Sequence, residues 1–355
     1  MNIEVKQARE LTDDHVKAWA AIQRANPELG NPSFAPEFTQ AVATTRDDVE
    51  VAILSEGDRH VGFFPFQRER RNVGAPVGSL LTDMHGVIAA ADLPWDPAEL
   101  IRECGLAAWE FDHLIASQQP FESYIKCVEE SPYMDLADGY ETYIERRVAE
   151  KCSSIKRAPS KARKVEREIG PLRFVLSDTN PATFETVIRW KREQVADTCG
   201  TDIFRHEWVV ETLRAACEIN TPNFEGSVAS LYAGDELLAA LIGMRSGSVY
   251  SSWIPTLNPA YSKYSPGLLL HLELAKHAAA EGITRIDLGR GANQMKTSLR
   301  SAAIPLALGA VDRRPLNRFV RHCWYKTRDL VYAMPLGGVS LRFYRRVRSW
   351  STLSS

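Results

Sequence analysis

The 355-residue sequence predicts an α+β protein made of two tandem copies of one architecture, each a mixed central sheet flanked by helices. Three observations predict it. The length exceeds the roughly 250–300 residues at which single hydrophobic cores stop growing, so two domains are expected. The order strand, two helices, hairpin, then further strands and a helix occurs twice, with Glu56-Gly-Asp-Arg and Ala233-Gly-Asp-Glu as matching hairpin turns. In the second copy a strand, Val249–Pro255, leads through a polar loop into the helix Gly267–Glu281. A parallel strand, Ile283–Leu288, follows at once.

In the first copy, Ile3–Glu10 is strand-like, and Asp13–Gln23 sets Val16, Trp19, Ala20 and Ile22 at helical spacing. Pro36 opens a second helix as a first-turn proline. Val49–Ser55 and His60–Gln67 alternate as a hairpin, Asp96–Leu106 is a helix behind Pro97, and Trp109–Ile115 and Ser123–Glu129 are strands. Arg71-Asn-Val-Gly-Ala-Pro-Val-Gly is read as a turn, because no helix follows it. Tyr140–Ile169 is one long helical stretch that Pro159 should bend or interrupt, and Gly170-Pro171 ends it. The second copy runs Leu172–Leu176 (strand), Pro181–Ala196 and Glu207–Glu218 (helices), Gly226–Tyr232 and Leu237–Arg245 (hairpin). After Ile283–Leu288 come the helix Asn293–Ser301 and the strand Leu306–Val311. The expected domains are 1–137, 138–311 and a basic helical extension, 312–355.

Composition narrows the function classes. An apolar fraction of 45% and a charged fraction of 25% suit a globular chain, not a disordered or collagen-like one. No apolar run approaches the roughly 20 residues of a membrane span, and the start lacks a signal-peptide core, so a cytoplasmic location is expected. The six cysteines are scattered without C-x-x-C spacing and the histidines form no zinc motif, so reduced thiols and no metal are expected. The net charge of −2 conceals two basic regions. Arg146–Arg167 is either a solvated helix face or a polyanion contact. The tail beyond Asp312, with Arg314, Arg318 and Arg321 among interleaved aromatics, is a docked helix, a site for an anionic regulator, or a peripheral contact with inner-leaflet lipid.

The segment Tyr261-Ser-Lys-Tyr-Ser-Pro-Gly carries the sharpest chemical signal. A helix N-terminus exposes unpaired amides and partial positive charge, and Gly267 would let a phosphate come close. Lys263 adds charge, while Ser262 and Ser265 offer hydroxyls; a plain helix cap is the alternative. The second signal is Asp287-Leu-Gly-Arg-Gly with Lys296, where Arg290 and Lys296 lie ahead of a helix and can hold a phosphate or a carboxylate.

Together with Lys191-Arg-Glu-Gln and Asp197-Thr-Cys-Gly-Thr-Asp-Ile-Phe, these segments resemble the GCN5-related N-acetyltransferase (GNAT) superfamily. Within it the likeness is to the FemAB-like branch and to CelD/BioF2-like acetyltransferases of polysaccharide biosynthesis. It covers Tyr140–Val311, and more loosely Pro32-Ser-Phe, Val61-Gly-Phe-Phe-Pro-Phe and Thr82-Asp-Met-His-Gly. The resemblance implies two GNAT-like folds, the first degenerate, and acyl transfer from acetyl-CoA or another acyl-CoA to an amine. Ser262, Lys263, Tyr264, Ser265 and Gly267 would then hold the donor, with Trp253 beside them. Asp287 or Glu193 would serve as base, with Asp202 as a further choice, and Tyr261 or Tyr264 would protonate the thiolate. Arg290, Lys296 and Gln194 would face the acceptor. The expected acceptor is a small-molecule or lipid-linked amino sugar of a cell-envelope or exopolysaccharide precursor, without nucleic acid. Two alternatives stay open: an aminoacyl-tRNA-dependent FemX-like transferase, and a catalytically silent sensor of a nucleotide-type anion.

Overall fold

The structure of the chain, a computed structural model, describes residues 1–197, 202–291 and 293–314. The first half runs β1 (Asn2–Gln7), α1 (Asp13–Ala25), α2 (Pro36–Thr45), β2 (Val49–Glu56), β3 (Arg59–Glu69), β4 (Val73–Ala75), β5 (Ile88–Ala89), α3 (Pro97–Glu103), β6 (Ala108–Ile115) and β7 (Ile125–Asp135). Two helices, α4 (Tyr140–Ala149) and α5 (Ser153–Glu168), lead to the second half. This runs β8 (Leu172–Val175), α6 (Pro181–Asp197), α7 (Glu207–Glu218), β9 (Glu225–Ala233), β10 (Glu236–Ser246), β11 (Val249–Leu257), α8 (Pro266–Ala280), β12 (Arg285–Asp287), α9 (Gln294–Leu299) and β13 (Ala302–Asp312).

Local chemistry explains the helix starts. Thr12 caps α1 by accepting the His15 amide, and prolines occupy the first turn of α2, α3 and α8. Two sequence expectations change. Pro159 neither ends nor splits its helix, because it lies within α5; the break falls at Lys151, whose φ is +61°. The stretch read as a turn at Arg71–Gly78 contains β4, which is too short to show periodicity.

The strands join one sheet in the order β1-β2-β3-β4-β6-β13-β7-β12-β11-β10-β9-β8, with β5 paired to β3. That order is a palindrome. Apart from β5, each strand of the first half has a counterpart at the same distance from the centre, and the only parallel pairings between these strands, β4/β6 and β11/β12, are counterparts. The expected duplication is therefore present in the topology. The last strand of each half is exchanged: β13 pairs with β6, β7 pairs with β12, and β7 and β13 pair with each other.

One core is shared by both halves. Trp19, Phe34 and Phe38 pack in the same apolar cluster as Leu213, Met244 and Trp253. Helices α2 and α7 meet there, and the Thr45 and Thr212 hydroxyls lie 2.8 Å apart. On the opposite face, α8 packs with α4 and α5 over the second half, and α3 covers the first. Among the described residues no helix is long and apolar enough to cross a membrane.

Candidate active site at the split of the parallel strands

β11 and β12 pair at Val249–Arg285, Tyr250–Ile286 and Ser251–Asp287, and β12 then ends while β11 runs on to Leu257. The split coincides with a bulge. β10 and β11 are in register at Ile242–Ile254 and again at Met244–Ser251, so Ser252 and Trp253 oppose Gly243 alone. Such a bulge bends its strand and re-aims backbone and side chains. Gly243 is required here, because a Cβ on it would lie 1.9 Å from the Tyr250 hydroxyl oxygen.

Polar groups from both halves gather at the split. Asp287 is fully buried; its Oδ2 accepts from Asn31 Nδ2 at 2.8 Å and from Arg285 Nη2 at 3.3 Å. Asp83, from the loop ahead of β5, accepts from Ser251 Oγ at 2.9 Å. Its Oδ1 would be 3.3 Å from a Cβ on Gly289, and Lys296 Nζ would be 3.6 Å from the same point. Lys296 Nζ donates to the Gly289 and Arg290 carbonyls, each at 3.0 Å.

Electrostatics follow from burial. Desolvation holds both Asp83 and Asp287 above the usual carboxylate range, and the charge of Asp287 raises Asp83 further. His113, the Ser251 hydrogen bond and Lys296 pull Asp83 the other way. Burial lowers Lys296. Lys191 on α6 is lowered to about 8 by burial and by Lys296. The cleft thus holds buried carboxyl groups above the usual carboxylate range beside cations that can bind an anion.

The loop ahead of α8 differs from expectation. Ser265 takes a left-handed φ of +57°, and its carbonyl accepts the Leu268 and Leu269 amides at 3.0 and 3.2 Å. Pro266 has no amide hydrogen. Gly267 is buried, and a Cβ on it would meet Met295 Sδ at 3.2 Å, so its missing side chain accommodates methionine. The reading of Gly267 as an open approach for phosphate gives way to this packing. Charge remains around the loop: Lys161 Nζ contacts Ser265 Oγ, and Lys263 and Lys164 lie 4.8 and 5.8 Å from the Tyr264 ring centroid. Tyr264 is buried and donates to Glu168 at 2.8 Å, and Ser262 is exposed.

Other sequence-predicted residues are placed as follows. Trp253 is a wedge between the halves, not a ligand floor: its Nε1 donates to the Leu81 carbonyl at 2.6 Å and Phe38 meets its ring edge-on. Tyr261 donates to Glu236 at 3.0 Å, which raises its pKa and draws it away from the thiolate-protonating role. Glu193 is exposed and paired with Arg189, and Gln194 accepts from Lys191 at 3.3 Å. Asp202 pairs with Arg192 at 3.4 Å. Arg290 ties strands together, donating to the Asp112 carbonyl at 2.8 Å and pairing with Glu129 at 3.3 Å. Arg314 is clamped by Asp312. Arg318, Arg321 and the rest of the expected helical extension from 315 onward lie outside the described residues.

Sequence reasoning missed Asp83 and His113. Thr82-Asp-Met-His-Gly was the nearest signal for Asp83, but nothing in it points across to Ser251; His113, on β6, had no signal of its own. One grouping has metal-like spacing, His85, Asp112 and His113. His85 Nε2 accepts the Asp112 and His113 amides at 3.3 and 3.2 Å, and His113 Nδ1 lies 3.0 Å from Asp112 Oδ1, so two of the ligand atoms are already engaged within the protein.

Residues 153–297 match the family model described as the acetyltransferase (GNAT) domain. No curated protein matches the sequence. Among solved structures, the crystal structure of FemX is similar at 9% identity and a TM-score of 0.58, over 91% of this chain and 99% of that one. The C-terminal domain of a candidate lysylphosphatidylglycerol synthetase from Agrobacterium fabrum shares 11% identity at a TM-score of 0.54, over 87% and 94%. L-PGS from Bacillus licheniformis shares 10% at 0.51, over 86% and 94%. At such identities the likeness is one of fold, and the fold is GNAT-like.

Proposed function

We propose that this chain, which carries a GNAT acetyltransferase domain at residues 153–297, is an N-acyltransferase that moves an acyl group from an acyl-CoA of the acetyl-CoA type to the amine of an amino sugar. The precursor of a cell-envelope or exopolysaccharide, free or lipid-linked, is the acceptor class we favour. One observation carries the reading: the parallel strands part at a bulge, and Asp83, a buried carboxyl held above the usual range, accepts from Ser251 at the last paired position.

Acyl transfer to an amine requires a polarised carbonyl and a neutral nucleophile. The bulged backbone at Ser252–Trp253 is the source of N–H donors for the carbonyl oxygen. Asp83 takes the proton of the acceptor ammonium, since burial makes its carboxylate a stronger base than an exposed one. Asp287, already held by Asn31 and Arg285, positions the Ser251 end of β11. Lys296 and Lys191 bind anionic groups of donor or acceptor, and Lys161, Lys164 and Lys263 attract the donor's phosphates.

A second reading has a specific observation behind it. Met295 covers Gly267, and Lys156, Arg157, Arg163 and Lys164 on α5 are exposed. That surface suits a larger polyanionic donor, an aminoacyl-tRNA. Isothermal titration decides: acetyl-CoA should bind saturably and lose affinity in Lys161→Ala plus Lys263→Ala. Absence of heat with acetyl-CoA, together with salt-sensitive retention of charged tRNA, would replace the first reading by the second.

A further inference from the structure

Away from the strand split lies a cavity of about 70 Å³ whose walls come from both halves, among them Arg46, Asp48, Gln67 and Glu69 from the first and His206 and Trp208 from the second. One water needs roughly 10–15 Å³ by the same measure, so the space admits a polar head group but no whole sugar ring.

Most of its polar groups are already satisfied. Arg46 Nε donates to Asp48 Oδ1 at 3.1 Å, and the guanidinium lies 5.3 Å from the Trp208 ring centroid. Gln67 Nε2 donates to the same Asp48 oxygen at 3.0 Å, while its Oε1 accepts the Gly78 amide at 2.8 Å. His206 Nε2 accepts from Arg205 Nε at 3.3 Å. Glu69 differs. It is half-buried in the wall and has no hydrogen bond or ion pair among the described residues. Burial first, then Glu110 and Asp48, push its carboxyl upward, against the opposing pull of Arg46. Arg46 is paired with Asp48, which leaves Glu69 as the carboxyl in the wall without a hydrogen-bonded partner among the described residues.

We propose that this cavity binds an organic ammonium group, with Glu69 as its counter-ion and Trp208 against the adjoining carbon. An ammonium supplies the donors that Glu69 lacks, and Trp208, whose ring already carries the Arg46 guanidinium, offers the adjoining carbon an apolar edge. The body of the ligand stays at the rim, where Leu80 is 44% exposed. The Ser79–Leu81 turn forms another wall; its Leu81 carbonyl holds the Trp253 indole, and the chain continues to Asp83. The site goes beyond the transferase reading and does not need it, since binding is measured with no acyl donor present.

The test is isothermal titration of the full chain with glucosamine, with N-acetylglucosamine as the control without an ammonium. Glucosamine should bind saturably, the control should not, and Glu69→Gln should weaken glucosamine at least tenfold while leaving the melting temperature unchanged. Equal binding of both sugars, no binding of glucosamine, or equal affinity in wild type and Glu69→Gln overturns the proposal.

Discussion

Asp83 combines a cost to stability with the proposed use as a base. Its carboxyl is raised in the folded chain, so between the unfolded value of 3.8 and the folded one the native state holds the extra proton. Stability is therefore fully present below the unfolded value and is lost as pH rises through the folded one. Once pH has passed the folded value, a buried carboxylate that Asn would not create is being tolerated. Asp83→Asn should accordingly lower kcat by about 100-fold or more while leaving the melting temperature at pH 7 equal or higher, and that advantage should shrink toward pH 4. Wild-type kcat should rise with pH as Asp83 ionises, and the variant should lack that limb. Full activity in Asp83→Asn would remove it from the mechanism. Part of this site is legible in the sequence: Asp287, Arg290 and Lys296 follow a strand that returns from a helix, where ligands of such folds gather. Asp83 is not, because its partner Ser251 lies 168 residues away and only the pairing of the halves brings them together.

At the level of elements, periodicity reads the long pieces well and fails on the short ones. Helix α7 is expected and found at Glu207–Glu218, and the hairpins β2–β3 and β9–β10 fall around their Gly-Asp turns. β4 escapes because three residues carry no alternation, and β12 shrinks to three because β11 leaves it at the bulge. That bulge is invisible in a sequence, since Ser252-Trp253 continues the strand pattern; Gly243 opposite is its one trace. Its absent side chain gives the Tyr250 ring room between β10 and β11. Gly243→Ala would force a methyl to within 1.9 Å of a buried phenol oxygen, so either the ring or the strand must move. A loss of about 1–3 kcal/mol is expected in denaturant unfolding, with activity falling further than folding because the split itself is displaced. Alanine tolerated at 243 with unchanged stability and rate would mean that the bulge does not depend on this packing.

The exchange of last strands sets how the whole molecule folds. Without β13, the first half leaves the β6 edge open, and without β7, the second half leaves β12 open, a strand of three residues that cannot close a sheet by itself. The shared core adds to this, because Trp253 sits against Phe38 and Leu81 of the other half and would be bare in a fragment. Each half thus contributes the strand that completes its counterpart, and neither meets the condition for a domain that could fold alone. A chain cut between Asp138 and Gly139, in the short link after β7, should therefore give fragments 1–138 and 139–355 that are insoluble or lack near-ultraviolet circular dichroism when made singly. Produced together they should associate and recover both the fold and the acyl-transfer rate, and the intact chain should melt in one calorimetric transition. Two separate transitions, or a soluble, cooperatively folded 139–355 fragment, would show that the halves are autonomous and that the exchanged strands are an ornament of the fold instead of its closure. The proposed active site belongs to the same argument: Asp83 and Asn31 come from one half and Ser251 and Asp287 from the other, so fragment complementation and the proposed catalysis should return with the same concentration dependence.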